Sequence, residues 1–362
     1  MKSVPTRFSI RILADDLSGA ADCAAAFTGA VGAISLLLRG EGRGETRFAL
    51  DADTRVLDAN AAAARWHAIG QAGAADRRSV TYKKIDSTLR GNIAEELCAL
   101  LEELPHVGTV VIAPAFPAQG RTIVNGQLWV RGEATGKSIG RLAEAVRVAG
   151  LPHSLLLADA TEQGDLEALV ASVGRDDPNT LWVGSAGLAR ALAGTPPSTV
   201  DHAELEGPLL IVAGSYSPVT VAQVQAFAAV HPRSLVAFAP ADDPSIAAAR
   251  AMAAMQATGA ALVHVNADAP PAEGSREIVA RLAPALRNVA RRCATLVMTG
   301  GDTARAMFEA LDVQEVFIEG ELAAGIAVSA PVEPYRFRAV LKAGGFGDND
   351  TFLRLHPPVS PP

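Results

Sequence analysis

One pattern recurs along this chain: a short apolar run closes on small residues or glycine, and an alanine-rich helical segment comes next. "FSIRILADDLSGAADCAAAF", "TVVIAPAFPAQG", "TLWVGSAGLARAL", "PLLIVAGSYSPVTVAQVQAF" and "ATLVMTGGDTARAMFEAL" all carry it. Alternation of strand and helix specifies parallel α/β sheets, because strands that run the same way need a crossover between them. Ligands of such sheets sit beyond the carboxyl ends of the strands, where these turns fall. The chemistry is therefore to be sought in the turns.

With 362 residues the chain exceeds what one core usually organises. The stretch "AGTPPSTVDHAELEGP", residues 193 to 208, is rich in Pro, Ser, Thr and charge, and a new strand, "LLIVAG", opens directly after it. The expected fold is α/β in two domains, residues 1–195 and 208–362, joined by a linker over 196–207. Each has a mainly parallel sheet flanked by helices, with the ligand cleft between the domains. A net charge of −7 argues against a nucleic-acid or anionic-membrane partner. The three cysteines, Cys23, Cys98 and Cys293, show no paired spacing, which fits a reducing compartment and offers no metal motif. The opening "MKSVPTRFSIRIL" lacks the long apolar core of a signal peptide, and no apolar run approaches the roughly 20 residues that span a bilayer. The expected location is the cytoplasm.

The densest polar turn is "YKKIDSTLRGN", Tyr82 to Asn92, between a strand and the helical "IAEELCALLEEL". Arg90 can fork onto a carboxylate and Lys84 supplies a point charge. Asp86 can accept from a hydroxyl, and Ser87 and Thr88 can add hydrogen bonds or cap the helix. In "LADDLSGAADC", one helix cap needs a single Asp or Ser, yet Asp15 and Asp16 stand side by side. Carboxylates at a strand end also suit sugar hydroxyls or Mg²⁺. Arg55, in "LDADTRVLDA", comes after a strand-like run, and by spacing alone reads as a solvated loop arginine.

The second half offers glycine turns instead. In "VMTGGDTARAMFEAL", Gly300 and Gly301 precede Asp302 and Thr303 at a helix start, where free N–H groups and the helix dipole favour phosphate. Asp302 would repel phosphate if it pointed inward, so it is expected to cap the helix or to meet a ribose or metal. "VAGSYSPVT", with Gly214 and Ser215, and "LKAGGFGDNDTF", with Gly344, Gly345 and Gly347, add two more turns and suggest a crevice lined by backbone amides. "RGEATGKSIGRL" imitates a P-loop around Lys137, but only three residues separate Gly132 from Gly136 where the motif needs four.

Taken together, "ADDLSGA", "DADTR", "YKKIDSTLRGN", "APAFPAQGRTIVNGQ", "GSAGLA", "VAGSYSP", "TGGDTA" and "KAGGFGDND" resemble the four-carbon acid sugar kinase family over nearly the whole chain. The resemblance implies an N-terminal acid-sugar domain, a C-terminal ATP domain and transfer of phosphate to the terminal O4 hydroxyl of a 3-oxo-tetronate, threonate or erythronate, with ATP and Mg²⁺ as cofactors. It implies substrate contacts from Asp15, Asp16, Arg55, Lys84, Asp86, Ser87 and Arg90. The ATP site would take in Ser215, Gly300, Gly301, Asp302, Thr303, Gly344 and Gly345. Asp86 or Asp16 would accept the O4 proton. Ser18 stands where the family usually shows threonine, and the segment after Val130 is shorter than the family's. A kinase for another small hydroxy acid, or a carboxylate sensor without turnover, are the alternative readings. A homodimer is compatible with the sequence, and nothing in it demands one.

Overall fold

The computed structural model describes residues 9–40, 47–265 and 274–356; residues 1–8, on which the localisation reading draws, lie outside this range. The chain divides into two compact units, residues 1–198 and 199–362. The division falls inside the segment read as the linker. That segment is anchored rather than loose: the Val200 N–H donates to the Glu321 carbonyl oxygen, and Val200 and Leu205 are buried in the core of the second unit.

In the first unit, β1 (Ile10–Ala14), α1 (Leu17–Val31), β2 (Ile34–Leu37), β3 (Arg47–Asp51), α2 (Ala59–Gly73), β4 (Val80–Lys84), α3 (Ile93–Glu102) and β5 (Thr109–Ala113) come in order. Then come β6 (Arg121–Val124), β7 (Gln127–Val130), β8 (Glu133–Ser138), α4 (Gly140–Val148), β9 (Ser154–Leu157), α5 (Gln163–Val173), β10 (Thr180–Gly184) and α6 (Ala186–Ala193). The main sheet runs β2-β3-β1-β4-β10-β5-β9 with every pairing parallel. The chain leaves β1 to build β2 and β3 on one side and then crosses to β4 on the other. The carboxyl ends of β1 and β4 therefore flank a topological switch point, where a sheet of this kind opens a crevice.

The segment after β5 corrects the expected pattern. No helix succeeds "TVVIAPAF"; a short 3-10 turn at Pro117–Gln119 leads into the antiparallel sheet β6-β7-β8. Pro114 and Pro117 withhold N–H donors a helix start would use further in, and Gly120 at φ +68° turns the chain back into a strand.

The second unit contains β11 (Leu209–Ala213), α7 (Pro218–Val230), β12 (Leu235–Phe238), α8 (Pro244–Thr258), β13 (Ala260–Val265), α9 (Gly274–Ala290), β14 (Thr295–Thr299) and α10 (Gly301–Leu311). β15 (Glu315–Ala323), β16 (Ile326–Val332), β17 (Phe337–Lys342) and α11 (Thr351–Leu355) complete it. Its order is β12-β13-β11-β14-β17-β16-β15; β16 alone runs antiparallel to its neighbours. Here the switch point lies between β11 and β14.

Strand β4 is buried at all five positions, yet it ends in two lysines. They point to opposite faces because successive strand side chains alternate. Lys83 Nζ donates to Glu96 Oε2 at 2.9 Å and lies 3.2 Å from the centre of the Trp66 ring. Glu96 Oε1 accepts from Thr54 Oγ1 at 2.6 Å, and Thr54 Oγ1 accepts from Trp66 Nε1 at 3.0 Å. Every member of this network is fully buried and bonded, which a buried ion pair requires if it is not to destabilise the fold. It ties α3 and α2 to Thr54, the neighbour of Arg55. Lys83→Met should therefore cost about 3–5 kcal/mol in urea unfolding, because Glu96 is left charged and dry. Adding Glu96→Gln should recover much of that loss; if it recovers none, the pair is not what holds the segment.

Candidate functional site

At the switch point of the first unit, Arg55 gathers three carboxylates. Its Nε and Nη2 fork onto Asp15 Oδ2 and Oδ1 at 2.7 and 2.8 Å, Nη2 also donates to Asp16 Oδ1 at 2.7 Å, and Nη1 stands 3.8 Å from Asp86 Oδ1. The backbone prepares this: the Asp15 carbonyl oxygen accepts the N–H groups of both Thr54 and Arg55, which draws the loop after β3 across the end of β1. The solvated arginine that spacing suggests is therefore corrected. Arg55 is the charge at the centre of the site, with its affinity for the proton raised by the three anions despite burial.

The two adjacent aspartates divide their work. Asp15 is 1% exposed and committed to Arg55; burial lifts its carboxyl above the ordinary range against the pull of that guanidinium. Asp16 caps α1, accepting the Gly19 N–H at 3.0 Å, and also accepts the Ser18 hydroxyl. Burial raises Asp16 too, but Arg55, Lys84 and the Ser18 bond outweigh it and leave the carboxyl more acidic than usual. Lys84 Nζ donates to the Ile85 carbonyl oxygen at 2.9 Å and lies beside this cap: a Cβ built on Gly19 would fall 2.8 Å from it and 2.5 Å from Asp16 Oδ1. Glycine is what lets helix, carboxylate and ammonium approach so closely.

Within the turn after β4, Asp86 takes the Arg90 fork at 2.7 and 2.8 Å, the Arg90 N–H at 3.2 Å, and both the N–H and the hydroxyl of Thr88. These bonds and the Arg55 charge outweigh burial and hold Asp86 well below the carboxylate range. Thr88 thus serves Asp86 and Ser87 is half-buried in the turn; neither caps α3, whose N-cap is Asn92. The expectation that Arg55 and Arg90 stand open for an acid is corrected in the same way: both forks close on protein carboxylates. Arg90 still keeps 62% of its side chain exposed.

One residue set aside as part of the false P-loop belongs here. Lys137, on β8, donates through Nζ to the carbonyl oxygens of Thr88 and Leu89 at 2.8 and 3.0 Å. Leu89 has φ +53°, a left-handed conformation costing roughly 1 kcal/mol or more for such a residue, and Lys137 holds the two carbonyls which that twist turns outward. No spacing rule could have found it, since 48 residues separate the partners.

In the second unit the three glycine turns meet. A Cβ on Gly344 would collide with Ser215 Oγ, one on Gly214 with Thr303 Oγ1, and one on Gly300 would sit 3.6 Å from Ser215 Cβ. Gly300, at φ +95°, is the N-cap of α10, so the first amides of that helix have no side-chain cap. The expectation that Asp302 caps it is corrected: Asp302 stands inside the first turn. Gly301 opens the helix and Gly345 lies half-buried in the loop after β17. Lys342, 1% exposed at the end of β17, donates to the carbonyl oxygens of Ala343 and Gly344 at 3.1 and 3.4 Å. Among the described residues no group of three or more His, Cys, Asp or Glu side chains is arranged to hold a metal ion, and no helix is long and apolar enough to cross a membrane.

Comparison with known proteins places these two arrangements. Residues 10–141 match the family model described as a sugar-binding N-terminal domain, and residues 210–352 one described as a nucleotide-binding C-terminal domain. The chain is 35% identical over 402 residues to a D-threonate kinase of Cupriavidus necator, covering 93% of this chain and 94% of that protein. It is 28% identical to a 3-oxo-tetronate kinase of Pseudomonas fluorescens, over 91% and 94% of the two chains. The Haemophilus influenzae protein HI1011 shares the fold, with a TM-score of 0.63 at 21% identity over 95% of this chain and 98% of that one. A sugar-binding unit joined to a nucleotide-binding unit defines a small-molecule kinase. The chain belongs to the four-carbon acid sugar kinase family.

Burial lowers the Lys342 ammonium from its usual 10.5 to about 7. Between those values the unfolded chain holds a proton that the folded chain has shed, so this lysine makes stability rise with pH, and its penalty is complete below pH 7. The stability gap between Lys342→Met and the parent protein should accordingly narrow from pH 7 towards pH 10 in urea titrations. Parallel curves would show that the lysine is not titrating in that window.

Proposed function

We propose that the chain is an ATP-dependent kinase that phosphorylates the terminal O4 hydroxyl of a four-carbon acid sugar. The observation that carries this reading is the Arg55 cluster at the carboxyl ends of β1, β3 and β4, with Asp16, Lys84 and Arg90 around it. A tetronate carries one carboxylate and several hydroxyls. The exposed edge of Arg90 meets the carboxylate, while Lys84, beneath the α1 cap, adds positive charge. Asp15, fully committed to Arg55, positions that arginine. Ser87 and the outer edge of Asp86 bond substrate hydroxyls.

Of the two candidate proton acceptors, Asp16 is favoured over Asp86. A carboxylate offers about four lone-pair sites. Asp86 accepts five hydrogen bonds, whereas Asp16 accepts from Gly19, Ser18 and Arg55 and keeps room on Oδ2. The low basicity of Asp16 is no obstacle: phosphoryl transfer passes through a loose transition state, and the acceptor oxygen becomes strongly acidic only as its bond to phosphorus forms. Ser215, the turn Gly300, Gly301, Asp302 and Thr303, and Gly344 with Gly345 cradle the triphosphate through backbone amides. Mg²⁺ enters with the nucleotide. It is a cation that prefers phosphate oxygens and water and needs only one or two protein carboxylates, and Asp302 stands at the helix start where one would serve.

The test is ADP release with Mg-ATP and a panel of threonates, erythronates, 3-oxo-tetronates and longer aldonates. Turnover confined to four-carbon acids supports the reading; turnover only with longer aldonates would shift it to another hydroxy acid. Thermal stabilisation by an acid, with no ADP from any, would mark a sensor. Arg90→Ala should raise KM for the acid about tenfold or more while KM for ATP stays within about twofold, the size of one charge-assisted bond. Asp16→Asn should lower kcat by about 10²-fold or more, as loss of a proton acceptor does. If Asp16→Asn keeps kcat while Asp86→Asn loses it, the acceptor is Asp86.

A further inference from the structure

The loop after β17 has its carbonyls gathered on one side. Lys342 Nζ holds those of Ala343 and Gly344, Thr220 Oγ1 donates to that of Gly344 at 2.8 Å, and Gln223 Nε2 donates to those of Phe346 and Asp348 at 3.1 and 2.8 Å. Thr220 and Gln223 lie in α7 and, like Lys342, are at most 1% exposed. The loop itself is half-buried to exposed over residues 343–348.

A trans peptide is planar, with its C=O and N–H on opposite edges. The carbonyl of residue 343 shares its plane with the N–H of Gly344, that of 344 with Gly345, and that of 346 with Gly347. Three carbonyls drawn inward by buried donors therefore aim three glycine N–H groups the other way. Gly347, at φ +83°, supplies the left-handed turn this needs, and the Ser215 and Gly300 turns lie against the same loop. Outward N–H groups in succession form a nest for an anion.

We infer that Thr220, Gln223 and Lys342 are positioning residues of the nucleotide site, which face the amides of Gly344, Gly345 and Gly347 towards the phosphates of the nucleotide. This rests on the nucleotide-binding reading of the second unit and extends it to side chains that touch no ligand. The donors work by spending their hydrogen bonds on carbonyls, so replacing one with an isostere frees a carbonyl to rotate and loosens the amide opposite it.

Calorimetry of the full chain with ATP, ADP and adenosine, alongside steady-state kinetics, tests this. Thr220→Val keeps shape and removes one donor. It should weaken ATP and ADP binding about fivefold to tenfold, the worth of one buried hydrogen bond. Adenosine affinity and KM for the acid sugar should stay within about twofold, and Thr220→Ser should restore ATP binding. Gln223→Met gives a second reading if the valine variant folds poorly; its Oε1 accepts no hydrogen bond, so the change orphans no donor there. Unchanged ATP affinity in both variants overturns the inference. Equal losses for ATP and adenosine also overturn it, because a merely structural role would weaken both. Failure of the parent protein to bind ATP or ADP instead removes the nucleotide reading beneath it.

Discussion

The bidentate bond from Arg55 to Asp15 is the contact on which the first unit's site depends. It can form only if the ends of β1 and β3 lie side by side in parallel register, and Ala14 pairs with Asp51 to bring them there. Once formed, it obliges everything nearby to balance charge. Asp15 is dry and could not stay ionised alone, Arg55 has donors left for Asp16 and approaches Asp86, and Asp86 in turn fixes Arg90. A substrate entering this cluster meets groups whose orientations are already set, which lowers the ordering cost of binding.

Beneath it lies a second layer with no ligand of its own. Lys83, Glu96, Thr54 and Trp66 use the opposite face of β4 to hold the residue next to Arg55, while Lys137 reaches from the small antiparallel sheet to hold the turn after Asp86. The nucleotide-binding unit solves a similar problem with different means. There the recognising groups are backbone amides, so the supporting side chains grip carbonyls. Charge arranged by charge in one unit and amides arranged through carbonyls in the other suit an acid sugar and a polyphosphate respectively.

Much of the framework was legible because its signals are local. Apolar runs closing on small residues mark strands of a parallel sheet, and polar or glycine-rich residues at their carboxyl ends mark where ligands go. Asp16 and Gly300 could be read as helix starts from the residues beside them. The segment after β5 misled because its apolar run looks like the others, while Pro114, Pro117 and Gly120 turn the chain into a hairpin instead of a helix.

Sequence alone determined the α/β class, the turns that carry chemistry and, through their combination, the kinase family, since each rests on residues only a few positions apart. Tertiary structure decided the pairings. Arg55 lies forty positions from Asp15, Lys137 forty-eight from Leu89 and Thr220 one hundred and twenty-four from Gly344. Which charge neutralises which, and which carbonyl a buried donor takes, is set by the desolvation that sheet closure imposes on every polar group it encloses, a condition that no short stretch of chain contains.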